Sequence, residues 1–325
     1  MRNKLLSTCF TGLALSVAGL ATASDPVPIF TEKLISHAVI SGAAITLSAS
    51  SVIGGDIAAG AAATLGAAST GMFAATPPNI YAGAALTIGA GTTVNNIIAN
   101  AALTLGADAE ANEVWVDAAY TLGAGAKVTK LMTTDRAFPN KKLIRTSANM
   151  NTAMAEIQTS MDALASLNTS AGPTYELPTT MANKEFAPGV YSGTALTFAA
   201  NSQITFSDSP PNSVWIFNLD GPMNVGAMST FFAPTKGNGD AIKGTVIWNI
   251  GGALTLGAAT EFSGVAFVGG AVIGATSWVK CGNLYAKGAV SIRFDDANKA
   301  ACMIGADKSN LLEVSDTGKG PEYKF

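Results

Sequence analysis

The chain has 325 residues, only 13% of them charged, with a net charge of −3 and a single histidine, whereas soluble domains carry about 25% charge. Low charge beside 48% hydrophobic residues excludes a disordered chain, and the lack of a basic excess excludes nucleic acid as a partner, because phosphate neutralisation needs clustered Lys and Arg. With His37 alone to supply imidazole chemistry, neither an enzyme nor a metal or cofactor site is expected.

Arg2 and Lys4 precede an apolar run from Leu5 to Leu20 that closes on Ala21-Thr22-Ala23, the order of a secretory signal and its small-residue cleavage site. Residues 1–23 are therefore expected to be removed, taking Cys9 with them, and the mature chain to be secreted, with the periplasm or cell surface as other destinations. No later run approaches the roughly 20 apolar residues that span a bilayer, so no membrane span is expected in the mature chain.

A phrase then recurs. Ala63-Thr64-Leu65-Gly66-Ala67, Leu86-Thr87-Ile88-Gly89-Ala90, Leu103-Thr104-Leu105-Gly106-Ala107 and Tyr120-Thr121-Leu122-Gly123-Ala124 follow a looser Ile45-Thr46-Leu47, and the steps from Thr87 to Thr104 to Thr121 are 17 and 17. Alternation within each phrase has period two, so these are strands whose threonine faces away from its apolar neighbours. A second apolar position follows seven residues later, at Val94, Ala111 and Val128, and a third stretch, such as Ile97-Ile98 or Val114-Trp115-Val116, closes the unit. Three short sides in 17 to 18 residues predict a right-handed parallel β-helix, a β-solenoid of roughly triangular coils, with Gly and Ala at the corners. One coil buries four or five aliphatic side chains at about 1.5–3 kcal/mol each, against about 1–2 kcal/mol per residue of backbone ordering, so coils must stack.

Between Lys130 and Glu185 the phrase is absent. Met150, Met154, Ile157, Met161, Leu164 and Leu167 fall at spacings of 4, 3, 4, 3 and 3, one stripe of an amphipathic helix over about 147–168 that packs alongside the solenoid. The phrase resumes at Leu196-Thr197-Phe198 and Leu254-Thr255-Leu256, with looser copies at Met223-Asn224-Val225, Ala271-Val272-Ile273 and Ala289-Val290-Ser291, and the row is read as Thr255, Val272, Val290 at steps of 17 and 18. A single domain over 24–295 is expected, with coils at 32–130 and 186–295, followed by a charged tail at 296–325. Cys281 and Cys302 form a disulfide in an oxidising compartment or remain two buried thiols.

The phrases Phe186-Ala187-Pro188-Gly189-Val190-Tyr191, Val214-Trp215-Ile216-Phe217-Asn218, Gly244-Thr245-Val246-Ile247-Trp248, Thr260-Glu261-Phe262-Ser263-Gly264 and Lys287-Gly288-Ala289-Val290, in this order, resemble the secreted ice-binding proteins of cold-adapted microbes and sea-ice diatoms. The resemblance runs over about 32–295 and implies a β-helix with a flanking helix, the ice crystal surface as partner, and no catalysis. Thr194-Ala195-Leu196-Thr197 resembles the family's ice-face phrase. Regular coils bearing Thr64, Thr87, Thr104 and Thr121 stand where the family usually has an irregular cap.

Stacked in register, the outward positions Thr46, Thr64, Thr87, Thr104, Thr121, Thr197 and Thr255 form one file about 4.8 Å apart. Flat, uncharged and flanked by Ala and Gly, this file is the candidate ice contact. The same face could instead seat the helix or a neighbouring copy of the chain. A second class of function is thus a structural or adhesive envelope protein that self-associates or binds a surface polymer. The row six residues on, Thr93, Glu110, Lys127, Gln203, Thr230, Glu261 and Trp278, is mixed in charge and reads as solvated surface. Asp56, Asp108, Glu110 and Asp117 are scattered, unlike the paired carboxylates of a polysaccharide-cleaving site.

Overall fold

Alternation in Leu103-Thr104-Leu105 turns both leucines inward, where each is about 1% exposed, and leaves the threonine outside. The structure is a computed structural model that describes residues 27–71, 77–132, 144, 146–167, 174–206, 213–232, 244–294, 313–316 and 321–324. The expected signal at 1–23, Cys9 and Cys302 lie outside them.

Strands of one coil pair in parallel with their equivalents in the coils on either side, which makes a β-solenoid with three faces. Face 1 carries the threonine triplets, running in space from Tyr120–Leu122 through Leu103–Leu105, Leu86–Ile88, Ala63–Leu65 and Ile45–Leu47. It continues through Val290–Phe294, Val272–Cys281, Leu254–Leu256, Met223–Val225 and Leu196–Phe198 to Thr180–Met181. Face 2 holds the short strands that follow, such as Gln203–Phe206 and Glu261–Ser263. Face 3 is a 12-stranded sheet that runs from Lys127–Met132 to Thr174–Glu176; its long strands Thr93–Ala99, Glu110–Val116 and Lys127–Met132 begin with the residues that make face 2 in those coils.

The chain enters this stack in the middle. It climbs from His37–Ser41 to one end at Lys127–Met132, resumes at the other end at Thr174–Glu176, and climbs back until Val290–Phe294 lies beside Ile45–Leu47. Strands of the second set thus begin at Thr174, before the 186 expected from the phrase, because this first coil, with Lys184 and Glu185 at its second side, lacks the phrase. The tail contributes structure as well: Glu313–Asp316 and Pro321–Lys324 form a three-stranded antiparallel sheet with Val27–Pro28.

Two helices are described, α1 (Glu32–Ser36) and α2 (Ser147–Ser166). Thr146 caps α2 by accepting from the Asn149 amide at 3.1 Å, satisfying one of the free donors of the first turn. The buried stripe of α2 is Met150, Ala153, Ile157, Ser160, Met161 and Leu164. It packs on the outer side of face 3, against residues such as Ile98, Trp115, Ile216, Ile247 and Tyr285. That sheet is therefore buried on both sides, and its strands read as continuous apolar runs, for example Trp215-Ile216-Phe217, instead of alternating. Asn218 and Asn249 donate from their amides to the Leu164 and Met161 carbonyls at 2.7 and 3.0 Å, and Asn249 also donates to Asn218 at 2.9 Å.

The inner core changes along the axis. Aliphatics such as Leu86, Ile88, Leu103 and Val114 fill the first set of coils, while Phe198, Phe217, Phe231, Trp248 and Phe262 fill the second, with Phe217 and Trp248 stacked at 4.1 Å.

Corners meet the expectation of Gly and Ala in part. In eight coils the backbone turns through a left-handed residue four positions after the outward residue: Ala68, Ala259, Gly91 and Gly125 fit, while Ser50, Asp108, Asn201 and Met228 do not. The glycine of the phrase serves close approach instead. A Cβ on Gly106 would stand 2.5 Å from the Ala90 nitrogen of the adjacent coil.

Candidate functional site

Register decides which side chains form the outer file of face 1. Thr121, Thr104 and Thr87 pair in line, as do Thr87, Thr64 and Thr46. The file continues through Ser291, Ile273, Thr255, Asn224, Thr197 and Thr180. All seven threonines expected on this row are brought onto it. The row positions taken as Val272 and Val290 are wrong by one residue: both are buried in the core, and Ile273 and Ser291 occupy the file, so the steps from Thr255 are 18 and 18. Thr180 carries no triplet signal in the sequence, because Thr179 stands where the other triplets have their first apolar residue.

Thr46, Thr64, Thr87, Thr104 and Thr121 are exposed, and Thr197 and Thr255 are half-buried. Two residues before each of the five exposed threonines stands an alanine, at Ala44, Ala62, Ala85, Ala102 and Ala119. No file position carries a charge. Helix α2 does not seat here; it covers face 3.

A row of buried hydroxyls braces the corner behind the file. Ser51, Ser69, Ser202 and Ser229 each donate to the carbonyl three residues earlier, at 2.7, 2.8, 2.6 and 2.8 Å. Thr260 instead reaches the Gly226 carbonyl of the adjacent coil at 3.1 Å. Each such bond contributes about 1 kcal/mol net and fixes the strand that presents the threonine. Their signal in the sequence is a Ser or Thr five positions after the outward residue.

Face 2 is different in kind. Thr93, Glu110 and Lys127 are in register, as are Gln203, Thr230, Glu261 and Trp278. Glu110 pairs with Lys127 at 2.7 Å and Glu261 with Lys280 at 3.4 Å, and Arg293 lies 5.8 Å over the Trp278 ring. Glu110 holds the Lys127 ammonium above its ordinary range through their hydrogen bond. Long, mobile, hydrated side chains make this face unlike face 1.

His37 is buried, its Nδ1 2.7 Å from the Lys33 carbonyl and 3.0 Å from the Ser36 hydroxyl. Burial lowers its pKa, an effect that the Lys33 carbonyl and the Asp56 charge partly oppose. It is a structural residue at the first coil. Tyr285, also buried, donates to the Leu34 carbonyl at 2.7 Å, and burial raises its pKa far above the ordinary phenol. Cys281 is disulfide-bonded. Among the described residues no group of His, Cys, Asp and Glu could hold a metal ion, and no helix is long and apolar enough to cross a membrane.

A family model described as Ice-binding-like matches residues 39–298. An ice-binding protein of Flavobacterium frigoris (strain PS1) is 31% identical over 140 residues, 41% of this chain and 46% of that protein, so the match spans about half of the relative's length. Among solved structures, an ice-binding protein from an Antarctic biological consortium aligns over 90% of this chain and 93% of its own at 14% identity and a TM-score of 0.44. The DUF3494 domain of ice-binding protein 1 from Shewanella frigidimarina aligns over 80% and 92% at 19% identity and a TM-score of 0.47.

Proposed function

The chain belongs to the ice-binding-like family, matched over residues 39–298, and on that premise we propose that it is a secreted, non-enzymatic protein that adsorbs to ice through the Thr/Ala/Gly side of face 1. The observation that carries this reading is the run of exposed threonines at Thr46, Thr64, Thr87, Thr104 and Thr121, one per coil, on a side that the helix leaves uncovered. Threonine supplies a methyl and a hydroxyl on a β-branched, rotationally stiff side chain. Repeated about every 4.8 Å on a hydrogen-bonded sheet, such groups hold interfacial water in a regular layer that can merge with a crystal lattice. Charged, flexible side chains would scatter that layer, and none stands on the outward file.

Cys302 is the proposed disulfide partner of Cys281, which would tie the chain back to the last coils in an oxidising compartment. The test of function is ice growth in the presence of purified protein. Adsorption predicts a gap between melting and freezing temperatures and faceted crystals. Unaltered growth at high protein concentration, together with concentration-dependent light scattering, would favour an adhesive envelope protein instead.

A further inference from the structure

Resting on that reading of face 1, we infer that Ile273 sets the limit of the ice-contact plane, which comprises the coils from Thr121 to Ser291 and stops there. Ile273 lies in register between Ser291 and Thr255, points outward and is 53% exposed. Isoleucine replaces the threonine hydroxyl with an ethyl group. It therefore offers no hydrogen bond and raises a methyl above the level of its neighbours.

The backbone changes at the same place. Where eight coils turn through a left-handed residue after their triplet, as at Asp108 and Ala259, no such residue stands four positions after Ile273. Val272–Cys281 instead runs on as one ten-residue strand, and its register against Val290–Phe294 shifts between Gly274 and Trp278. The two sides of this coil also differ. Toward Thr121 the row two residues before the file is alanine in every threonine coil, whereas beyond Ile273 Ala253 and Ala195 alternate with Pro222 and Pro178, and the file itself includes Asn224. A flat crystal face resting on the threonines from Thr121 to Thr46 is thus lifted at Ile273 and does not meet the coils beyond.

Thermal hysteresis of the full mature chain tests this with Ile273→Thr, Asn224→Tyr and Thr87→Tyr, each checked for folding by circular dichroism melting. Ile273→Thr is expected to raise activity by about one third, in step with a plane lengthened from six coils to eight, up to the Thr255 coil, at about 4.8 Å each. Asn224→Tyr, two coils beyond Ile273, is expected to retain wild-type activity, since it adds bulk where contact has already ended, and Asn224→Arg serves the same purpose should the tyrosine variant not fold. Thr87→Tyr is expected to lose most of the activity. Loss of activity in folded Asn224→Tyr, or no gain in Ile273→Thr, overturns the boundary while leaving face 1 as the ice contact. Full activity in Thr87→Tyr instead removes face 1 itself and the boundary with it.

Discussion

Gly106 sits where one coil passes so close to the next that a methyl group has no room, with the Ala90 nitrogen 2.5 Å from where a Cβ would be. Its neighbour is backbone and cannot turn aside. Gly106→Ala is expected to destabilise the fold by about 1–3 kcal/mol, visible as a lower melting temperature, while the equivalent change at Gly91, where nothing lies within 4 Å, should cost only the strain of a left-handed alanine. The repeat was legible in the sequence down to this glycine, but its reason was not. Composition suggests that glycine and alanine turn the corners, and Ala68 and Gly91 do so, but Ser50 and Asp108 take the same left-handed turn elsewhere; the buried Ser51 and Ser69 hydroxyls brace the corners at Ser50 and Ala68. His37 adds a pH dependence at the same scale. Burial lowers its pKa below the unfolded value of about 6.5, so its contribution to stability is complete above that value and is lost as the pH falls through the folded pKa. A melting temperature that drops between neutral and mildly acidic solution, and drops less in His37→Gln, is the expected result.

Helix α2 was legible as an element, since the spacing of Met150, Ile157, Met161 and Leu164 has only one periodic reading, but the face it covers was not. That choice is made by side chains far away in sequence: Asn218 and Asn249 meet the Leu164 and Met161 carbonyls, Ser160 donates to the Ile29 carbonyl at 2.9 Å, and Glu156 pairs with Lys33 at 2.6 Å. The apolar outer residues of face 3, from Trp115 to Tyr285, are the sequence counterpart. Their meaning depends on knowing that both sides of that sheet are buried, which an unalternating run of three or four residues cannot distinguish from a short core strand. Asn249→Ala would remove the hydrogen bond that Asn249 donates to the Asn218 oxygen and one tie to the helix, a loss of about 1–3 kcal/mol. Chemical denaturation should register it, with ice activity of the folded protein unchanged because face 1 is untouched.

Over the whole molecule, one feature organises the candidate site: the chain enters the stack in its middle and both coil sets meet at Thr46 and Ser291. Sequence order therefore gives two separate short files, and only the stacking of Ile45–Leu47 on Val290–Phe294 makes them one row. No spacing rule within the chain announces that joint. The one-residue error at Ile273 and Ser291 has a different cause: their coils step by 18 residues instead of 17, and neither carries the threonine that marks the outward position. The sparse charge of the chain now has a location. The Glu110–Lys127 and Glu261–Lys280 pairs stand on face 2, Lys33–Glu156 joins the helices, apolar contacts with α2 cover face 3, and the outward file of face 1 is uncharged from Thr121 to Thr180. The most direct test is the thermal hysteresis of the purified mature protein beside that of Thr104→Tyr, which plants a ring in the middle of the five exposed threonines. Arrest of ice growth by the wild type and its loss in a variant with unchanged melting temperature is the predicted result; equal activity of the two folded proteins, or none in either, would contradict adsorption through this face.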